Sequence, residues 1–132
     1  MFAGIGGFRS GLSKFGDFFM PIGFCEIDPY ARRAYEAIYD TKGELFFEDA
    51  RTIVPEDLPD IDLICGGFPC QSFSIAGKRG GFEDARGTLF FEIARIARVK
   101  RPKYLLLENV PGLLSHDSGR TFATILGTLS EL

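Results

Sequence analysis

An α/β chain built on an open, doubly wound, mostly parallel sheet is what this sequence predicts, and three observations carry the prediction. Short apolar runs alternate with stretches of helical periodicity, the order expected of a parallel sheet covered by helices. The apolar runs end in turns rich in glycine or acids, and open α/β sheets bind their ligands at that edge. The 132 residues, 45% hydrophobic and 25% charged, fit one ordinary globular domain and exclude disorder or a low-complexity polymer.

Each element has its own local reason. Met1 to Ala3 reads as the stump of a first strand that runs directly into Gly4. Gly7 to Phe15 is expected to be a short helix with Phe8, Leu12 and Phe15 on one face and Gly16 ending it. Ile22 to Ile27 reads as a second strand. Asp28-Pro29 then starts a helix, with Asp as N-cap and Pro at the first helical position. That helix runs to about Tyr39 and is expected to bury Ala31, Ala34, Tyr35 and Ile38. Leu45 to Phe47 is a short third strand, and Ile61 to Cys65 a buried one. A glycine-rich stretch without periodicity, Gly66 to Gly87, follows; connections this long are commonly functional. Leu89 to Val99 is a helix with Leu89, Phe90, Ile93, Ile96 and Ala97 facing inward, stopped by Pro102. Tyr104 to Leu107 is expected to be another buried strand. Arg120 to Leu132 closes the chain as an amphipathic helix on Phe122, Ile125, Leu126 and Leu129.

Charge is uneven. The net is −3 overall, but residues 1–65 carry −6 and residues 66–132 carry +3. A basic half is weak evidence for a polyanionic partner, and on charge alone a solvated helix face is the favoured reading. Three cysteines, Cys25, Cys65 and Cys70, without a regular framework argue against a secreted disulfide scaffold. With one histidine, His116, and no CxxC, a zinc site lacks ligands. No signal peptide and no membrane-length apolar run is expected, so a cytoplasmic location is the default and no membrane partner is called for.

Phe2-Ala3-Gly4-Ile5-Gly6-Gly7 joins the strand stump to a helix. Glycines there permit a tight turn and let a ligand approach the backbone. The dinucleotide fingerprint GxGxxG needs glycine at position 9, which is Arg9. A pyrophosphate site is therefore disfavoured. Glu26 ends the next strand, where an acid can accept from both ribose hydroxyls of an adenosine ligand. Capping explains Asp28 but not Glu26. Asp49 either meets an adenine amino group or is a plain loop acid. Together these residues fit S-adenosylmethionine better than NAD.

Two further strand ends carry chemistry. Ile61 to Cys65 leads into Gly66-Gly67-Phe68-Pro69-Cys70-Gln71, and Tyr104 to Leu107 into Glu108-Asn109-Val110-Pro111. If the two strands are neighbours, about 4.8 Å apart, Cys70 and Glu108 face a common pocket. A thiol and a carboxyl so placed suit nucleophilic attack on a ring that must also be protonated. Cys25 and Cys65 read as core. A phosphatase-type loop is excluded because Ala76 stands where its arginine would be, and His116 lies in a polar turn that suits exposure.

These residues resemble the DNA (cytosine-5)-methyltransferase family, and most of all its bacterial modification methylases of restriction–modification systems. The resemblance lies in Phe2 to Gly7, Glu26, Gly67-Phe68-Pro69-Cys70-Gln71-Ser72-Phe73-Ser74, Gly87-Thr88-Leu89-Phe90-Phe91 and Glu108-Asn109-Val110, in that order along nearly the whole chain. It implies a Rossmann-like S-adenosylmethionine-dependent methyltransferase fold. It also implies methyl transfer to carbon 5 of a flipped-out cytosine in duplex DNA through a covalent cysteine adduct. Phe2 would stack on the cofactor adenine, Gly4 and Gly6 would pass beneath it, Glu26 would hold the ribose and Asp49 the adenine. Gly7, Ile27, Ala50 and Pro69 complete the implied cofactor contacts. Cys70 would attack carbon 6, Glu108 would hold or protonate ring nitrogen 3, Pro69 would shape the cytosine pocket and Asn109 would position this element. Gln71, Ser72, Ser74, Lys78, Arg79 and Arg86 would meet the DNA. No metal is implied.

Family members also carry a full first strand, a target-recognition domain and C-terminal catalytic motifs. The resemblance therefore implies that residues 1–132 form a partial catalytic and cofactor-binding domain, incomplete as a sheet. Such a chain is expected to transfer little alone and to need its C-terminal half or a second chain. A non-catalytic S-adenosylmethionine-binding module and an unrelated NAD-binding α/β domain are the competing readings.

Overall fold

The computed structural model describes residues 1–69 and 89–132. Cys70, Gln71, Ser72, Ser74, Lys78, Arg79, Arg86 and the Gly87-Thr88 pair lie outside the described residues. The chain divides into two compact units, Met1–Ile53 and Val54–Leu132. Among the described residues each unit holds one pair of parallel strands.

The first unit contains α1 (Gly7–Leu12), β1 (Gly23–Cys25), α2 (Pro29–Ile38) and β2 (Leu45–Phe47). Helix α1 is shorter than its periodicity suggests. Ser13–Phe18 tightens into a 3-10 segment broken at Phe15 and at Gly16, whose φ is +63°. Phe15 is consequently exposed rather than packed on the face of Phe8 and Leu12. Helix α2 begins as its sequence dictates: the Asp28 carboxylate accepts from the Tyr30 and Ala31 N–H groups and Pro29 takes the first turn. It ends where Tyr39 turns extended. Tyr35 is buried and stacks on Phe24 of β1 with 4.3 Å between centroids. Ala31, Ala34 and Tyr39 are half-buried on either side of Tyr35, but Ile38 is 57% exposed instead of buried. Strands β1 and β2 pair in parallel from Gly23↔Leu45 to Cys25↔Phe47. The Ala3 N–H donates to the Cys25 carbonyl at 2.9 Å, so the first residues lie against the end of β1.

The second unit contains β3 (Leu63–Gly67), α3 (Leu89–Lys100), β4 (Tyr104–Glu108) and α4 (Arg120–Ser130). Helix α3 supplies its core. Phe90, Ile93 and Ile96 are the largest fully buried side chains, with Ala94 and Ala97 beside them. Burial of each large apolar side chain stabilises by about 1.5–3 kcal/mol. Phe68 packs on Phe90 with ring centroids 5.3 Å apart, which ties the end of β3 to this core. Arg101, at φ +47°, donates its N–H back to the Ala97 carbonyl and closes α3 before Pro102.

Strands β3 and β4 pair in parallel from Leu63↔Tyr104 to Gly67↔Glu108. Strand β4 is not buried on both faces. Leu105 and Leu107 are half-buried, but Tyr104 is 67% exposed and Leu106 is exposed too, because the period of two sends alternate side chains to opposite faces. Helix α4 buries Thr121 and Ile125, one turn apart, while Leu126 is 52% exposed rather than packed. Thr121 is held by the His116 ring, whose Nδ1 lies 2.7 Å from its hydroxyl. His116 is therefore half-buried at this turn rather than freely exposed.

Candidate active site

In the first unit the candidate site is the turn between the first residues and α1. Three successive kinks shape it: Phe2 at φ +54°, Gly4 at +54° and Gly6 at +91°. Among the described residues a Cβ on Gly4 would meet nothing within 4 Å, whereas one on Gly6 would sit 2.3 Å from Tyr39 Cε2. Gly4 thus has an open side and Gly6 a closed one. Gly7 is the first residue of α1.

Glu26 follows β1 and is only 9% exposed. Its Oε2 accepts from the Gly4 N–H at 2.7 Å and its Oε1 from the Asp28 N–H at 2.8 Å. Hydrogen bonds to an ionised carboxylate are short and roughly twice as strong as neutral ones. One side chain therefore clasps the glycine turn to the start of α2. Each carboxylate oxygen keeps a further lone-pair position, so the group can still accept from ligand hydroxyls. Ile27 is exposed beside it.

Asp49 behaves differently. It caps the 3-10 turn Ala50–Thr52 by accepting from the Arg51 N–H, and its carboxylate pairs with the Arg51 guanidinium at 2.6 Å. The Arg51 side chain, helped by the Arg51 N–H, holds the Asp49 carboxyl below its ordinary range. Ala50 is buried.

In the second unit the candidate site is the carboxyl edge of β3 and β4. The register sets Gly67 opposite Glu108, and a Cβ on Gly67 would lie 2.9 Å from Glu108 Oε2. Glu108 is exposed, and among the described residues none hydrogen-bonds its carboxylate. Asn109 links the two strand ends: its Nδ2 donates to the Phe68 carbonyl at 2.6 Å, and its Oδ1 accepts from the Val110 N–H at 2.9 Å. Pro69 is exposed directly after Phe68, and Cys70 is the next residue in the chain.

The other cysteines sit apart from this chemistry. Cys25 is buried, and burial pushes its thiol up to about 11. Cys65 is half-buried on β3, with its thiol raised by the same cause. Among the described residues no cluster of His, Cys, Asp and Glu could hold a metal, and no helix is long and apolar enough to cross a membrane.

One group of side chains escapes sequence reasoning. Arg9, Tyr35, Tyr39 and Glu44 converge beneath Gly6. The available signal was Arg9 itself, standing where a dinucleotide fingerprint would have glycine.

The fold is one shared with methyltransferases. Spodoptera frugiperda DNMT2, in a variant form, superposes with a TM-score of 0.70 at 22% identity, over 96% of this chain and 39% of that one. The S. pombe Dnmt2 methyltransferase superposes with a TM-score of 0.68 at 25% identity, over 96% of this chain and 39% of that one. The C-5 cytosine-specific DNA methylase profile matches residues 1–132, and the chain belongs to that family. It is 54% identical to the type II methyltransferase M.NgoBI of Neisseria gonorrhoeae, over all of this chain and 40% of that protein. It is 46% identical to the type II methyltransferase M.HhaI of Haemophilus parahaemolyticus, over all of this chain and 39% of that protein. The chain thus spans about 40% of the length of these relatives. Family membership leaves no place for the unrelated NAD-binding reading.

Proposed function

We propose that this chain is the catalytic and cofactor-binding part of a DNA cytosine-5-methyltransferase that takes its methyl group from S-adenosylmethionine and serves restriction–modification. The observation that carries the reading is the Gly67↔Glu108 register. It sets the strand that leads to Pro69-Cys70 beside the strand that ends in Glu108-Asn109. The glycine turn fits the cofactor: Gly4 is open to an approaching ligand, and Glu26 is a buried carboxylate with acceptor capacity to spare. Phe2, Gly4, Gly6, Gly7, Glu26, Ile27, Asp49, Ala50 and Pro69 are the proposed cofactor contacts. When bound, S-adenosylmethionine supplies an electrophilic methyl group.

In the proposed chemistry the Cys70 sulfur forms a bond to carbon 6 of the cytosine. Glu108 holds a proton at ring nitrogen 3, which lets the displaced electron pair collect at carbon 5. Carbon 5 would take the methyl group, with S-adenosylhomocysteine leaving on the electron pair of the broken sulfur–methyl bond, and a base would then remove the proton from carbon 5. The pair left behind restores the carbon 5–carbon 6 double bond and expels Cys70. Asn109 fixes the strand end that carries Glu108, and Pro69 borders the pocket. The base must leave the stack because stacking hides the ring face attacked, at a cost of roughly a few kcal/mol. Contacts from Gln71, Ser72, Ser74, Lys78, Arg79 and Arg86 to duplex DNA offset it. Target recognition and the remaining catalytic motifs belong to sequence beyond these 132 residues, in the same or a second chain, so the isolated residues transfer little.

The test is a covalent trap. DNA in which 5-fluorocytosine replaces cytosine gives a denaturant-resistant adduct with the full-length protein, and Cys70→Ser abolishes it. S-adenosylhomocysteine binding without any adduct would instead mark a non-catalytic cofactor-binding module. Methylation by the isolated 132 residues at a full-length rate would overturn their proposed dependence on the rest.

A further inference from the structure

The glycine turn has a second support besides Glu26. The Tyr39 hydroxyl donates to the Gly6 carbonyl at 2.8 Å. Its ring lies so close beneath Gly6 that a Cβ there would be 2.3 Å from Cε2. Tyr39 is itself held. Its N–H donates to the Tyr35 carbonyl at 3.0 Å, and the two rings lie 4.9 Å apart. The Arg9 guanidinium covers both, 4.7 Å from the Tyr39 centroid and 5.5 Å from that of Tyr35.

Arg9 comes from α1, one turn beyond the glycines. It reaches across to Glu44 at 2.8 Å and to the Asp40 carbonyl at 2.8 Å. The Glu44 side chain is nearly buried. Arginine suits this place because a planar fork can stack on rings and still direct its N–H groups sideways. A lysine offers charge without the plane. The helix that begins at the glycines is thereby anchored to the end of α2 and to the loop before β2. Such anchoring supplies what α1 lacks by itself, because a helix of six residues is too short to be stable alone.

We propose that Arg9 and Tyr39 are positioning residues of the cofactor turn: Tyr39 sets the height and tilt of the Gly6 peptide, and Arg9 holds Tyr39 in place to do so. This rests on the reading of Phe2–Gly7 as the turn that receives an S-adenosyl ligand. Pre-organised backbone lowers the ordering cost of binding. Loosening it therefore weakens the ligand even though neither side chain need touch it.

The experiment measures S-adenosylhomocysteine binding by calorimetry in the full-length protein, at a temperature where every variant is fully folded. Tyr39→Phe keeps the ring and removes only the hydroxyl; the dissociation constant rises about fivefold or more. Arg9→Lys, which keeps the charge but not the stacking, weakens binding in the same direction. A support that matters only for stability would lower Tm and leave this constant unchanged. Affinity within about twofold of the parent in Tyr39→Phe, whatever its Tm, overturns the inference. Failure of the parent itself to bind S-adenosylhomocysteine refutes the cofactor reading instead, so the two failures are distinguishable.

Discussion

Gly67 and Glu108 stand opposite each other in the β3–β4 ladder, and the Glu108 carboxylate occupies the space a side chain on Gly67 would need. The close approach involves the end of a flexible side chain, not backbone. A methyl at 67 can therefore be accommodated by swinging the carboxylate away. Gly67→Ala is expected to fold with a Tm close to the parent. If Glu108 has the proposed acid–base role, its displacement from the strand edge lowers transfer by about 10-fold to 100-fold. Single-turnover methylation beside a thermal melt checks this. A Tm loss with the folded protein's rate unchanged would contradict it.

Asn109 holds the same edge by a single side chain. Its amide donates to the Phe68 carbonyl and its oxygen accepts from Val110. Asn109→Ala leaves the Phe68 carbonyl without this donor and costs about 1–2 kcal/mol. Asn109→Asp is worse, because an ionised carboxylate cannot donate and faces a carbonyl oxygen. Urea unfolding should rank the parent above Asn109→Ala and that variant above Asn109→Asp. The reverse order for the two variants would show that the Phe68 contact does not matter.

How far such features are legible depends on how local their causes are. Asp28-Pro29 announces α2 because capping is decided within one turn. The apolar spacing of Phe90, Ile93, Ile96 and Ala97 likewise announces α3, since its whole stripe is covered. The same rule misjudges Ile38 and Leu126, which are apolar at core spacing yet exposed. Which side of a helix is covered is settled by its neighbours, and periodicity carries no record of them. Glu26 could be singled out because its position at a strand end was unexplained by capping. The Arg9–Tyr39–Glu44 group could not, because its members lie up to 35 residues apart and no spacing links them.

The two glycines of the turn predict unequal sensitivities. Gly4 and Gly6 both have positive φ, so alanine at either is strained by about 1–2 kcal/mol. Only Gly6 adds a collision, since its Cβ would meet the Tyr39 ring and that ring is pinned by Tyr35 and Arg9. Gly4→Ala is therefore expected to lose about 1 kcal/mol in urea titrations. Gly6→Ala should lose at least about 3 kcal/mol or fail to fold. For S-adenosylhomocysteine the proposed cofactor contact at Gly4 narrows the contrast: a methyl there would fill the open side, so binding weakens although the fold survives. Equal stability of the two variants would contradict the pinned position of Tyr39.

Cys25 supplies a pH test. Its sulfur lies 3.9 Å from the Glu48 carbonyl within the first unit's core, and burial raises the thiol from an ordinary 9.0 to about 11. In the native protein at pH 8, on the order of one Cys25 in a thousand is then thiolate. Iodoacetamide should label it at least about tenfold more slowly than in urea-unfolded protein, read by peptide mass spectrometry. The linkage has a definite sign. Because the folded state binds this proton more tightly, the thiol's contribution to stability is intact below pH 9 and is lost as pH rises from 9 to about 11. The parent's unfolding free energy should therefore fall more steeply over that window than that of Cys25→Ala. Parallel profiles, or equal labelling of native and unfolded protein, would show that Cys25 is open to solvent.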